Sequence, residues 1–165
     1  YFQYEYEQHL KRNAKQSTDK LSWDEWNDSH HKDFVTIEHV FPQTPTDPYW
    51  ISHFGMLNKE QQHLLTHSLG NLVPLSRAKN SKLLNHAFDL KVNDGNGCGY
   101  FNGSYSEIEI SQPPVVWDPD QIKQRGLNLL NFLEKRWNIQ LGDDSIKLKL
   151  LHVDFLTFNV LEESA

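Results

Sequence analysis

A carboxylate and an imidazole stand next to each other in the chain, and two side-chain amides follow them. Glu38 and His39 come near the end of a β-rich run, and Asn71 and Asn80 follow nine residues apart. An imidazole can accept a proton at neutral pH, and hard divalent cations prefer oxygen ligands. Phosphodiester hydrolysis at a single metal ion needs a general base, a group that orients the base and oxygen ligands. The four residues therefore predict a metal-dependent phosphodiester hydrolase.

Each of these residues also has an ordinary structural interpretation. His39 could be a half-buried strand histidine and Glu38 a solvated surface residue. Asn71 could be a turn asparagine, and Asn80 a residue of a first helical turn. Each ordinary interpretation is the stronger one for its residue alone, and the joint occurrence of all four favours the functional one. The ordinary interpretation applies to His9, His30, His31, His53, His63, His86 and His152, whereas His67 stays open because it lies close to Asn71.

Length and composition predict one domain over residues 1–165. The chain is 38% hydrophobic and 12% aromatic, which is enough to bury a core. A single cysteine, Cys98, excludes a disulfide framework and a four-cysteine zinc site within this chain. No apolar run approaches the roughly 20 residues that a membrane span needs. We therefore expect a cytoplasmic protein with no membrane partner.

The formal net charge of −6 argues against a stand-alone nucleic-acid binder, which would be basic. The segment 77–91 is an exception, because it contains four basic residues, Arg77, Lys79, Lys82 and Lys91, and one acidic residue, Asp89. Its local net charge is +3. Three of these residues, Arg77, Lys79 and Lys82, are predicted to contact phosphates of a nucleic acid. A solvated helix face is an equally good interpretation of the three.

Hydrophobic periodicity and capping signals predict a mainly helical α+β fold. Neighbouring residues of a strand point to opposite faces, so Glu38 and His39 can share a site only if their strand ends or bends there. Asn80 falls on the core side of its helix, because it precedes Leu83 and Leu84 by three and four residues. Helices are predicted over 2–16, from an Asn58 cap to about His67, from a Ser76 cap through Phe88 and from an Asp118 cap through Trp137; strands over 33–41, 71–75 and 105–110; and loops over 17–33 and 93–104, with the tail from Ser145 ambiguous.

Three segments carry a resemblance to a known family. They read Thr36-Ile37-Glu38-His39-Val40-Phe41-Pro42-Gln43, then Leu69-Gly70-Asn71-Leu72-Val73-Pro74-Leu75, then Lys79-Asn80-Ser81-Lys82, with Phe88 and Lys91 behind. This pattern resembles the HNH (His-Me finger) nuclease domain at the C-terminal end of GmrSD-type restriction endonucleases, a family that includes phosphorothioate-sensing anti-phage effectors. The spacing of Asn71 and Asn80 is also similar to that in the HNH domain of RNA-guided CRISPR nucleases. A weaker match continues through Trp117, Arg125 and Trp137.

The resemblance implies a ββα-metal core over about residues 33–91 and a role for each residue. His39 would be the general base, Asn71 would orient it, and Glu38 and Asn80 would bind Mg²⁺ or Mn²⁺. Glu38 stands where many HNH proteins have Asp, so it could bind the metal directly or through water. Asn in the last position favours these hard cations over softer metals.

The resemblance also implies a partner and a biological setting. The chain would be the C-terminal fragment of a longer protein whose N-terminal domain hydrolyses a nucleotide and senses modified DNA. It would cut or nick double-stranded phage or modified foreign DNA in a bacterial restriction or antiviral defence system. Two alternatives remain open at this point: a non-catalytic module of the same fold that binds nucleic acid or the sensor domain, and a ribonuclease.

Overall fold

The computed structural model describes residues 1–14, 18, 20, 21, 23, 24 and 35–160. These residues form a mainly helical α+β fold with one two-stranded sheet, which confirms the predicted fold class. The finer assignment to a ββα-metal core stays a prediction. The helices are α1 (Phe2–Asn13), α2 (Pro48–Phe54), α3 (Lys59–His67), α4 (Arg77–Leu83), α5 (Phe88–Val92), α6 (Tyr105–Ile110), α7 (Pro119–Trp137) and α8 (Asp144–Leu150), the strands are β1 (Val35–His39) and β2 (Leu72–Ser76), and short 3-10 helices occupy Leu69–Asn71, Tyr100–Asn102 and Asp154–Val160.

The chain divides into two compact units, and the prediction of a single domain stays a prediction. The first unit comprises Tyr1–Val40 and Val73–Val116, and the second comprises Phe41–Leu72 and Trp117–Ala165. Most of the predicted loop over 17–33 lies outside the described residues. Within the described part of the chain, no helix combines the length and the apolar character that a membrane crossing requires.

Side-chain caps start three of the helices where the sequence predicts them. Asn58 and Gln61 form a reciprocal capping box at the start of α3. Ser76 accepts a hydrogen bond from the Lys79 amide and starts α4, and Asp118 does the same for Gln121 at the start of α7. These local signals set the boundaries of the elements that carry the candidate residues.

In the first unit, α4 packs on β1, α1 packs on α6, and α5 and α6 both contact the 3-10 helix Tyr100–Asn102. The aromatic and aliphatic side chains of these elements form a common core. Phe88 and Tyr100 are fully buried within it. The other buried hydrophobic residues of this unit are Tyr6, Val40, Val73, Leu75, Leu83, Val92, Tyr105 and Ile110.

In the second unit, the long helix α7 packs against the 3-10 helix Leu69–Asn71 and against α8. Ile122, Leu129 and Leu130 lie in the core, as the helical spacing predicts. Trp137, the predicted and observed last residue of this helix, is 38% exposed. The other large buried side chains described in this unit include Phe41, Trp50, Phe54, Leu65, Trp117, Phe132 and Leu148.

Residues 105–110 form helix α6, so the predicted strand is wrong. The alternation in this segment resembles a strand, but Ser104 and Glu107 form a capping box at its start. The buried carboxylate of Glu7 also accepts hydrogen bonds from the amides of Tyr105 and Ser106, at 2.6 and 2.8 Å. These bonds satisfy amides that have no partner inside a helix, and a negative charge there is favourable. A contact distant in sequence therefore supports a local cap against the strand-like pattern.

The single helix predicted from Ser76 through Phe88 is two helices, because the chain leaves helical geometry at Leu84. Leu84 has a φ of 39°, in the left-handed region, and its side chain is 59% exposed. The break lets both Leu83 and Phe88 enter the core. Leu84 is therefore not part of the apolar stripe that the sequence predicted.

Candidate active site

The candidate base His39 is the last residue of β1 and is half-buried. The strand ends there, as a shared site with Glu38 requires. Thr36 and Glu38 share one face of the strand, since residues two apart point to the same side. Asn80 donates from Nδ2 to Thr36 Oγ1 at 3.0 Å, which ties α4 to that face. The first unit thus brings Asn80 onto the face of β1 that carries Glu38.

Glu38 is held in a buried ion pair with Lys91 of α5. The Nζ atom of Lys91 lies 2.7 Å from Glu38 Oε1, and the hydroxyl of Tyr100 donates to the same oxygen at 3.3 Å. The carboxylate also accepts a hydrogen bond from the His39 amide. Lys91 is fully buried, and Glu38 is 6% exposed. Neither residue is a solvated surface charge, which corrects the ordinary interpretation of Glu38. Lys91, counted in the positive segment 77–91, is therefore not available to a nucleic acid at the surface.

Burial dominates the ionisation of this pair. It raises the pKa of Glu38 above 4.5, although the positive charge of Lys91 opposes the change. Burial likewise lowers the pKa of Lys91 below 10.5, against the attraction of Glu38. The pKa of Tyr100 is raised by burial and by the nearby carboxylates, so this residue stays a hydroxyl donor.

Lys91 makes a second contact, on the other side of His39. Its Nζ atom donates to the carbonyl oxygen of Val40 at 3.1 Å. One ammonium group therefore joins the side chain of the residue before His39 to the backbone of the residue after it. The tripeptide that carries the imidazole is fixed at both ends within the first unit.

The proposed metal ligands fit a divalent ion unequally. Since Nδ2 of Asn80 binds Thr36, the amide is oriented, and its carbonyl oxygen is a suitable hard ligand. A carboxylate whose charge is balanced by a buried ammonium group is a poor direct ligand, so Glu38 fits a contact through water. Among the described residues, no group of three or more His, Cys, Asp and Glu side chains could hold a metal ion. Mg²⁺ does not need such a cluster, because it keeps several water ligands and binds substrate phosphates.

Asn71 uses its whole side chain to organise the second unit. Its Oδ1 atom accepts from the Phe41 amide at 2.8 Å and from the Trp117 indole at 3.0 Å. Its Nδ2 atom donates to the carbonyl oxygens of Phe41 and Thr66, each at 2.9 Å. These bonds match the capacity of an amide, which has two donors and two acceptor positions. The predicted role of Asn71 in orienting His39 stays a prediction, and what the structure shows is a hold on the backbone of Phe41.

The residues on either side of Asn71 are fixed against α7. A Cβ on Gly70 would lie 2.0 Å from the carbonyl oxygen of Ile122, so only glycine allows this close approach. Arg125 of α7 donates from Nη1 to the carbonyl oxygens of Gly70 and Leu72, each at 2.9 Å. The Leu69-Gly70-Asn71 motif therefore has a structural basis in the packing of the second unit.

The three predicted phosphate-binding residues have different surroundings. Lys79 is paired with Glu107 at 2.5 Å and donates to the carbonyl oxygen of Gly99, and its side chain is 16% exposed. Lys82 is exposed and lies 3.2 Å from the sulfur of Cys98, and Arg77 is exposed as well. The exposed positive charge of this segment is therefore smaller than the sequence suggests.

His67, left open by the sequence, lines a cavity of about 600 Å³ in the second unit. Its ring lies 4.6 Å from that of His63, one helical turn earlier on α3. No carboxylate of the described part of the chain lines this cavity, whose other described lining residues are Phe41, Gln43, Thr44, Pro45, Lys59, Gln62 and Thr66.

In the first unit, a half-buried histidine at a strand end, a carboxylate on the same strand and the Asn80 amide on α4 are compatible with hydrolytic chemistry. The sequence matches the family model of the GmrSD restriction endonucleases, C-terminal domain, over residues 1–132. This span is most of the chain and contains His39, Asn71, Asn80 and Lys91. The chain therefore belongs to this family. Neither the curated proteins nor the solved structures yielded a match.

The sequence predictions missed the groups that hold these motifs in place. The sequence assigns Lys91 to a positive cluster and to the family pattern without a partner, and it places Tyr100 in a predicted loop. Trp117 and Arg125 belong to the weaker part of the resemblance, without a predicted role. Each acts on a residue more than 40 positions away in the chain, as the separations of their hydrogen bonds show. Local periodicity contains no signal for such partners.

Proposed function

We propose that this chain is a metal-dependent nuclease domain of HNH type that cuts or nicks DNA in a bacterial restriction system. Membership of the restriction endonuclease family supports a nuclease acting on DNA. The proposal includes the cytoplasm as its location and an N-terminal sensor domain as its partner. That domain would supply the targeting that this acidic chain lacks.

The observation that carries the proposal is the anchoring of His39. It is a half-buried imidazole at a strand end, and hydrogen bonds fix the residues before and after it. An exposed histidine of no function does not need this support. A general base does, because it must lie within hydrogen-bonding distance of the proton that it accepts.

In the proposed reaction, His39 accepts a proton from the water that attacks phosphorus and later releases it to solvent. Asn80 would bind a Mg²⁺ or Mn²⁺ ion through its carbonyl oxygen, and Glu38 would reach the ion through water. Such an ion, when bound, stabilises negative charge on the phosphate and on the leaving oxygen. Arg77 and Lys82 would contact flanking phosphates, and Lys79 would do so only by leaving Glu107.

The test is cleavage of supercoiled plasmid in Mg²⁺ by the wild type, by His39→Ala and by the control His86→Ala, which changes an exposed histidine of the same unit. We expect the wild type and the control to cut, and His39→Ala to be slower by about 100-fold or more. Chelation of the metal should stop all cleavage.

The same assay separates the remaining alternatives. A structured RNA substrate run in parallel distinguishes a ribonuclease from a DNA nuclease. Full activity of folded His39→Ala would contradict the assignment of the base. Absence of cleavage by the wild type with Mg²⁺ and with Mn²⁺, together with DNA binding, would favour a non-catalytic module.

A further inference from the structure

We propose that Lys91 is a positioning residue for His39: its ammonium group links Glu38 to the Val40 carbonyl and so fixes the backbone that presents the imidazole. This inference rests on the proposed function, in which His39 is the base. Lys91 itself does not contact the reacting atoms.

The contacts of Lys91 converge on one tripeptide. Its Nζ atom lies 2.7 Å from Glu38 Oε1 and 3.1 Å from Val40 O. The Glu38 carboxylate in turn accepts from the His39 amide. The His39 amide, through the Glu38 carboxylate, and the Val40 carbonyl are therefore both linked to a single buried cation.

Lys91 is itself held firmly in position. It lies on α5 with its side chain fully buried. Phe88, at the start of the same short helix, is also fully buried in the core of the first unit. The cation that binds the residues flanking His39 thus lies on a helix that is packed into the core.

Stability alone does not account for this arrangement. Two charges taken out of water carry a desolvation cost, and apolar residues of similar volume often stabilise a protein as well or better. An apolar pair cannot, however, make directional hydrogen bonds to the backbone. An ammonium group has three donors, and two of them here bind acceptors that flank a single residue. Precise placement of a reactive group matters because an error of about 1 Å can slow a reaction about 100-fold.

The main test variant is the double substitution Glu38→Gln with Lys91→Met. It removes both charges, so no buried ion is left without a partner, and it deletes both donated bonds of Lys91. Lys91→Arg keeps the charge and moves the donors. Lys149→Met, at an exposed position on α8, is the control.

Three measurements are needed on each protein: the denaturation midpoint, DNA affinity in a chelator, and the single-turnover cleavage rate at saturating DNA. We expect the double variant to keep the wild-type midpoint within a few degrees and the wild-type affinity within about twofold. Its cleavage rate should fall about 100-fold. Lys91→Arg should fold and also cut more slowly, and Lys149→Met should match the wild type. A rate within about threefold of wild type in the folded double variant would overturn the proposal.

A readout independent of cleavage separates this inference from the proposed function. The ring resonances of His39 in the metal-free protein, assigned by comparison with His39→Ala, should form one sharp set in the wild type. In the double variant they should shift and broaden while the other histidines stay unchanged. Unchanged His39 resonances would overturn the positioning role, whereas an inactive wild type with the expected changes would overturn only the nuclease assignment.

Discussion

Each of the two units contains one buried side chain that binds the backbone just after β1. The two side chains differ in charge. In the first unit, a buried ammonium group, Lys91, binds the side chain of Glu38 and the carbonyl of Val40. In the second unit, a neutral amide, Asn71, binds the amide and the carbonyl of Phe41. One anchor is ionic and the other is not, although both end on the backbone just after the strand that carries His39.

The comparison shows that a neutral side chain can fix a backbone as well as a charged one. The charge changes the free-energy cost of losing a binding partner. An amide that loses its partners leaves neutral groups unpaired, at about 1–3 kcal/mol each. An ion that loses its partner remains buried and charged, and the cost is about 3–5 kcal/mol. The ionic anchor is therefore the more sensitive of the two to a single substitution.

Lys91→Met should show the largest effect on stability. It leaves Glu38 buried beside an apolar side chain, so the free energy of unfolding should fall by about 3–5 kcal/mol. Adding Glu38→Gln should recover most of this loss, since the remaining groups are neutral. Urea unfolding at pH 7 measures both differences. Equal losses in the single and double variants would show that packing, and not charge, decides the stability at this position.

Asn71→Ala should show the second largest effect. It leaves the Phe41 amide, two carbonyl oxygens and the Trp117 indole without the bonds that Asn71 makes. We expect a loss of roughly 3 kcal/mol, because water entering the vacated space pairs again with part of these groups.

The control for Asn71 is Asn128→Ala, an exposed asparagine on α7 that should change stability by less than about 0.5 kcal/mol. The same urea unfolding experiment serves for both proteins. If Asn71→Ala proves as mild as its control, the neutral anchor contributes little to stability.

Glu7 offers a third case, a buried carboxylate bound by amides and a hydroxyl. Burial raises its pKa above 4.5, although hydrogen bonds from Tyr105 and Ser106 oppose the change. The folded state therefore binds this proton more tightly than the unfolded state, and the free energy of unfolding should fall as pH rises from about 4.5 through the raised pKa.

Glu7→Gln removes this titration and is the matched control for it. As pH rises across that range, the unfolding free energy of the wild type should decrease relative to that of Glu7→Gln. Glu38, whose pKa is also raised, contributes equally to both proteins and cancels. Parallel pH curves for the two proteins would contradict the raised pKa of Glu7.

The smallest effects should come from the exposed cations. Lys82→Ala should weaken DNA binding a few-fold and reduce the slope of log K against log salt by about 0.9, the value for one phosphate contact on duplex DNA. Lys79→Ala should change binding less and stability more, because Lys79 is paired with Glu107. Fluorescence anisotropy over a range of salt concentrations measures both. A larger slope change for Lys79 than for Lys82 would mean that the ion pair opens on binding.

The sequence predicted well wherever the decisive contact is local. The caps at Asn58, Ser76 and Asp118 lie within three residues of the amides that they bind, and the structure confirms all three. The helical face of Ile122 follows from a short-range pattern as well, whereas β1 ends at His39, two residues before the predicted end at Phe41. These features position the candidate residues but do not define the bonds between them.

The parts that could not be predicted depend on partners far along the chain. The ion pair joins residues 53 positions apart, and the Trp117 indole reaches Asn71 over 46 positions. Residues 105–110 alternate like a strand, although Ser104 and Glu107 form a capping box at the start of the segment. The side chain of Leu84 is exposed because the helix ends there and Leu84 adopts a positive φ. A positive φ is uncommon for leucine, so the sequence does not predict it.

The bonds between Glu7 and helix α6 have a consequence for the order in which the first unit folds. They join residues 98 and 99 positions apart, so the carboxylate that caps α6 arrives only when α1 has docked. Closing so long a loop is entropically costly, and helix nuclei as short as α6 do not persist alone. We therefore expect α6 to form late, after the transition state, and to open together with α1 as one cooperative unit in the native protein.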